Sequence, residues 1–169
     1  MANDAQQAND DDGRTTAAGL TRYAYEYIAA ARLVDSQHRE ERVFEFISPV
    51  PAYFLAYHGI ELTLKAYLRY RGVSIRDLSR KRYGHDLQAC YRKAKELQLL
   101  DHFREHEDDV LALRLLMDLN AQHQLRYIKV GFKKFPSWAI VEPLAIRLHQ
   151  AVAPLVNGRT FDIRFNGYA

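Results

Sequence analysis

Several features that would define a function class are missing from this 169-residue chain. Cys90 is its single cysteine, which excludes an internal disulfide, and no apolar run reaches the roughly 18 residues that predict a membrane-spanning helix. There is no Gly-rich phosphate loop, no His-Glu-x-x-His or paired-cysteine zinc pattern, and no Gly-x-Ser-x-Gly elbow. The N-terminus has no apolar segment of a secretory signal. We therefore expect a cytoplasmic protein without a cofactor, a metal or a membrane.

Charge is present but unevenly distributed along the chain. Residues 1–18 contain four aspartates and one arginine, whereas residues 65–96 contain ten lysines and arginines against three acids. Residues 101–109 are acidic again, with five acids and one arginine. A basic block beside an acidic one can attract a polyanion or pair with a second copy of the chain. A solvated loop with scattered charge is the plainer alternative.

Apolar residues recur at helical spacing through most of the chain and predict an all-α fold. The expected architecture is an up-and-down bundle of four to five helices. The predicted helices cover about residues 20–36, 51–71, 86–97, 105–124 and 144–156. Pro51 is placed in a first helical turn, where proline is tolerated, and Gly72 follows as a stop.

Residues 125–141 differ from this pattern and predict a small extended or β-like excursion, with Glu142-Pro143 as the next helix start. The tail after Gly158 alternates Phe161, Ile163 and Phe165, which suits a short strand. The predicted organisation is thus a disordered acidic tail at 1–17, a helical bundle at 18–157 and a C-terminal tail at 158–169.

The second predicted helix carries the most informative pattern. At 100° per residue, His58, Glu61 and Lys65 lie on one narrow stripe of a helix that is otherwise apolar or small. The opposite side is made of small residues, namely Ala56, Gly59, Thr63 and Ala66. Such a helix is typical of the centre of a domain, with a neighbouring helix packed closely on the small side. Buried charge requires partners, so this polar seam predicts a cluster with other elements.

Candidate partners lie at the ends of other predicted helices. They are His85 and Asp86 at the start of the third helix, Asn120 and Gln124 on the fourth, and Arg126 and Tyr127 just past it. Antiparallel neighbours with short links would bring these residues toward the seam. Each also has a purely structural interpretation: a helix ion pair for Glu61–Lys65, caps for Asp86 and Arg126, and a loop hydrogen bond for Asn120.

The order of these motifs resembles the HEPN superfamily of bacterial helical proteins. The resemblance rests on His58 followed by Glu61-Leu62-x-Leu64-Lys65, on Gly84-His85-Asp86-Leu87, on Leu119-Asn120 and on Arg126-Tyr127, and it spans about residues 20–156. It implies a helical bundle, often dimeric, that binds RNA or a nucleotide. Many members are metal-independent ribonucleases of toxin–antitoxin or phage-defence systems, and a homodimer and a cognate partner protein are expected with that assignment.

Catalytic members of the superfamily carry an arginine and a histidine separated by four to six residues, and Arg80 and His85 have this spacing, which a basic loop also produces by chance. The expected catalytic residues are His85, Arg126 and Lys65, with Glu61, His58, Asn120, Gln124, Tyr127 and Asp86 contacting the ligand. His85 would be a general base on a ribose 2′-hydroxyl, and the cations would stabilise the phosphorane. Two alternatives stay open: a non-catalytic dimeric interaction module with a structural cluster, and a small-molecule pocket between helices.

Overall fold

The computed structural model describes residues 14–39, 49–80, 83–121, 125 and 134–168, and in these ranges it is helical without any strand. This confirms the predicted all-α fold. The helices are α1 (Ala17–Arg39), α2 (Val50–Tyr70), α3 (Ile75–Ser79), α4 (Leu87–Glu96), α5 (Glu107–Ala121) and α6 (Trp138–Val152), with 3-10 turns at Leu99–Asp101 and Ala153–Val156. Much of the predicted excursion, most of the predicted N-terminal tail and residues 122–124 lie outside the described residues.

Helix α2 lies at the centre of the bundle, as its sequence predicts. It packs against α1, α4 and α6, and twelve of its residues are buried. The small side of α2 faces α1: a Cβ built on Gly59 would lie 2.5 Å from Cγ1 of Ile28 and 3.3 Å from the carbonyl oxygen of Ala24. The missing side chain therefore allows the two backbones to approach closely.

The sixth helix begins earlier than the sequence suggested. We expected extended chain up to Val141 and a helix start at Glu142-Pro143, but α6 begins at Trp138 and contains Pro143 in its second turn. Ser137 caps the true start by accepting a hydrogen bond from the amide of Ala139 (3.3 Å). The prediction was wrong because proline was read as a first-turn residue, whereas burial of Trp138 and Val141 holds the earlier turn in place.

Helix α6 and the following 3-10 turn form an apolar stretch in the bundle. Residues Trp138–Val156 are long and apolar enough to span a membrane by length and composition, with a mean hydropathy of 1.2. Half of that stretch is buried inside the protein, and Leu144, Leu148 and Val152 belong to the main hydrophobic core. This burial is what a core helix requires.

A buried ion pair joins α5 to α6. Asp109 is fully buried, and Nη1 of Arg147 donates to both of its carboxylate oxygens at 2.9 and 2.8 Å. The backbone amide of His106 also donates to Asp109 (2.8 Å), so this carboxylate caps the start of α5 as well. The acidic block at 101–109 thus places one of its charges in the interior.

The C-terminal tail folds back on the bundle without forming a strand among its described residues. Phe161 is buried and stacks on Tyr25 of α1, with ring centroids 4.3 Å apart. The side chain of Gln150 donates to the carbonyl oxygens of Phe161 and Ile163, both at 2.8 Å. These hydrogen bonds take the place of the strand pairing that the alternating pattern had suggested.

Candidate functional site

The polar seam of α2 forms a buried charge cluster around Glu61. The Glu61 side chain is only 1% exposed, and Nζ of Lys65, itself 12% exposed, donates to Oε1 of Glu61 at 2.7 Å. Nδ1 of His58 lies 3.8 Å from Oε2, and the His58 ring packs edge-on against Tyr27 of α1. The seam thus has the partners that its burial requires, as the sequence predicts.

His85, which precedes α4, reaches the same carboxylate. Its Nδ1 lies 3.3 Å from Oε1 of Glu61, while 61% of its side chain is exposed. Nε2 makes no hydrogen bond with any residue that the structure describes. A buried carboxylate facing one ring nitrogen and an open second nitrogen is an arrangement in which histidine can exchange a proton with a bound molecule.

The backbone on both sides of His85 is held by α2. Lys65 donates to the carbonyl oxygen of Gly84, and the hydroxyl of Tyr57 donates to that of His85 (3.0 Å). Nδ2 of Asn120, on α5, in turn donates to the Tyr57 hydroxyl at 2.9 Å. Asn120 therefore has a side-chain hydrogen-bond partner on α2, and α5 is linked to the His85 segment through Tyr57.

The electrostatics of the cluster keep Glu61 charged. Burial alone raises the pKa of Glu61, but the contacts with His58 and Lys65 and the positive charges of Lys65 and His85 outweigh it, so the pKa lies below its ordinary value. Burial, together with the negative charge of Glu61, raises the pKa of the Tyr57 phenol. Tyr57 is therefore a neutral donor at physiological pH.

Two other residues near the cluster have structural duties. Asp86 is the N-cap of α4, and its carboxylate accepts a hydrogen bond from the amide of Ala89 at 2.9 Å. Cys90 is buried, its thiol approaches the carbonyl oxygen of Tyr83, and burial raises its pKa to about 12. Asp86 thus matches the capping interpretation, and Cys90 is a core residue.

The structure brings together some of the predicted site residues and leaves others aside. His58, Lys65 and His85 each contact the carboxylate of Glu61, and Asn120 is linked to the His85 backbone through Tyr57. The predicted residues Gln124, Arg126 and Tyr127 lie outside the described residues. Tyr57 itself was missed, although it stands four residues before Glu61 on the same face of α2 and its position was therefore visible in the sequence.

The Arg80–His85 spacing does not create a contact between the two side chains. Nη1 of Arg80 instead faces Asp77, at 3.8 Å. The carbonyl oxygen of Arg80 accepts hydrogen bonds from the amides of Tyr83 and Gly84, which turns the chain toward α4. Arg80 therefore shapes the approach to His85 through its backbone.

Metal ligation has no support in the described part of the chain, where no group of three or more His, Cys, Asp or Glu side chains is placed to hold an ion. Lys65 occupies the position beside Glu61 that a cation would take. The contact between Glu61 and His85 allows proton transfer through the imidazole ring. No family model matches the chain, and the curated proteins and solved structures yield no significant similarity to it.

Proposed function

We propose that the chain is a HEPN-like protein that binds RNA and cleaves it without a metal, with His85 as the general base. The observation that carries this proposal is the pairing of a buried carboxylate, Glu61, with an exposed imidazole whose second nitrogen is free. Membership of a toxin or phage-defence system and a homodimeric state belong to the same proposal, which the motif series of the HEPN resemblance also supports.

The chemistry follows from the two ring nitrogens of His85. In the tautomer that this mechanism needs, Nδ1–H of His85 donates a hydrogen bond to the Glu61 carboxylate, which leaves Nε2 as the basic nitrogen. Nε2 removes the proton of a ribose 2′-hydroxyl, and the resulting oxygen attacks the adjacent phosphorus. The bond from phosphorus to the 5′-oxygen breaks, the 5′-oxygen takes a proton from water, the proton on Nε2 passes to solvent, and a 2′,3′-cyclic phosphate remains.

The developing phosphorane charge requires a cation. Lys65 is engaged by Glu61 and by the carbonyl oxygen of Gly84, so its main contribution is to hold the cluster together. We assign stabilisation of the phosphorane charge to Arg126, which follows Asn120 by six residues in the sequence. Asn120 and Tyr57 keep the His85 segment in place.

The test is incubation of the purified protein with total RNA in the presence of a chelator. Wild type and a His102→Ala control, which removes another exposed histidine, should both cleave, whereas His85→Ala should lose cleavage and Arg126→Ala should weaken it. Products should end in a cyclic phosphate. Equal cleavage by His85→Ala, or the absence of both RNA cleavage and RNA binding in wild type, contradicts the proposal.

A second candidate function is a non-catalytic dimeric interaction module. It is favoured by the internal use of Lys65, Asn120 and Asp86, each of which already has a partner within the chain. This function predicts a stable dimer in sedimentation experiments and no salt-sensitive affinity for RNA. Under it, substitution of His85 would change only the stability of the fold or of the dimer, and would affect neither RNA affinity nor RNA cleavage.

A further inference from the structure

We propose that the groove between α4 and α5 binds the phosphates of the RNA strand next to the nucleotide held at His85. This inference rests on the proposed function and names the path of its substrate. The groove has a volume of about 390 Å³. Its walls are formed by Tyr91, Arg92 and Lys95 on α4 and by Leu113, Arg114 and Met117 on α5.

Two arginines face this groove without a partner. Arg92 and Arg114 are exposed, come from opposite walls, and make no hydrogen bond or ion pair with the residues that the structure describes. Guanidinium groups bind phosphate oxygens through two parallel hydrogen bonds. Because neither side chain has a hydrogen-bond or ion-pair partner among the described residues, no such contact has to be broken when an anion binds.

The groove has a net positive charge despite the acidic residues that line it. Glu105 accepts a hydrogen bond from the hydroxyl of Tyr91 and pairs with Lys95 at 3.3 Å, so one acid and one base neutralise each other. Asp118 is then the one acid left among the described lining residues, against Arg92 and Arg114. The net positive charge favours a polyanion.

The groove is close to His85 along the chain. Gln88, which lines the groove, follows His85 by three residues, a separation of at most about 11 Å. From Gln88 the wall continues along α4 to Lys95, a rise of about 10 Å. A strand with its reacting ribose at His85 can therefore place its neighbouring phosphates between Arg92 and Arg114. This continuity favours a nucleic acid over an acidic peptide, which would have no reason to extend to the histidine.

Binding can be measured by fluorescence anisotropy with a labelled oligouridine, in a His85→Ala background that prevents cleavage. The groove variant is Arg92→Gln with Arg114→Gln. The matched control is Arg76→Gln with Arg164→Gln, which removes two exposed, unpartnered arginines outside the groove and gives the same net charge. Circular dichroism establishes that both variants are folded.

The groove variant should bind about tenfold more weakly or worse, since hydrogen bonds to charged groups are lost. The slope of log affinity against log salt should fall by about 1.4, or 0.7 for each lost phosphate contact to a single strand. The control should retain most of the affinity. Equal loss in both variants, or competition by polyglutamate as effective as that by unlabelled RNA, overturns the inference.

The outcome separates this inference from the proposed function. If RNA cleavage depends on His85 but the groove variant binds like the control, the groove assignment is wrong and the general base stands. If wild type neither binds nor cleaves RNA, both are wrong.

Discussion

Replacing Glu61 by glutamine tests whether the cluster is held together by charge. The substitution preserves shape but removes a carboxylate that is 1% exposed, and leaves the Lys65 ammonium, 12% exposed, without its counter-charge. Breaking a buried pair by removing one partner costs about 3–5 kcal/mol. Lys65 keeps the carbonyl oxygen of Gly84 and gains an amide oxygen, so we expect a loss of about 3 kcal/mol at neutral pH. That is a large fraction of the stability of a typical domain.

The pH dependence of this loss has a definite sign. The folded-state pKa of Glu61 lies below its ordinary value of 4.5, so between these two values the unfolded chain binds a proton that the folded chain does not. The contribution of Glu61 is therefore fully present above pH 4.5 and is lost as the pH falls through the folded-state pKa. The difference in stability between wild type and Glu61→Gln should be constant at neutral pH and should shrink below pH 4.5.

Urea unfolding of four proteins measures the effect: wild type, Glu61→Gln, Lys65→Met and the double variant. Because the double variant leaves neither charge unpaired, it should lose at least about 1.5 kcal/mol less than the sum of the single variants. Equal stability of Glu61→Gln and wild type at pH 7 would refute the reasoning, as would strict additivity. Loss of RNA affinity beyond that of equally destabilised variants would assign Glu61 a role in the ligand site as well.

Two further changes probe the interior of the bundle. Gly59→Ala should lower the free energy of unfolding, measured in urea, by about 1–3 kcal/mol because its Cβ would overlap Ile28. The control Gly19→Ala, whose Cβ would meet only the Thr16 hydroxyl at 3.2 Å, should not destabilise the protein. Unchanged stability of Gly59→Ala would contradict the close approach of α1 and α2. Burial lowers the pKa of His149, so the unfolded chain binds a proton first and stability should fall below pH 6.5 by up to about 1.4 kcal/mol per pH unit. His149→Phe should lack this component, and parallel pH profiles of the two proteins would exclude it.

The polar seam and the small face of α2 could be predicted because helical geometry alone decides which side chains share a face. For that reason the sequence shows that Gly59 faces a neighbouring helix and that Glu61 and Lys65 share one face of α2. The capping role of Asp86 was among the alternatives for the same local reason.

What the sequence could not supply depends on contacts between distant segments. Tyr57 donates a hydrogen bond to the carbonyl oxygen of His85. Every residue type has a backbone carbonyl, so the sequence does not show which one accepts this bond. The partner of Asp109 is Arg147, 38 residues away, and no periodicity relates them. At α6 the signal was present, since Trp138, Val141 and Ala145 already follow helical spacing, but Pro143 outweighed it in our interpretation.

Besides the contact of Glu61 with the His85 ring, α2 makes two hydrogen bonds to the segment before α4 that end on backbone oxygens, those of Gly84 and His85. Neither of these two hydrogen bonds to the backbone depends on which side chain residue 85 carries. The side chain at position 85 can therefore change during evolution while the segment keeps its position. The fold and the chemistry of the site can then be inherited separately. Relatives with the same Tyr57–Lys65 frame and a different residue at this position would have kept the fold and changed the reaction.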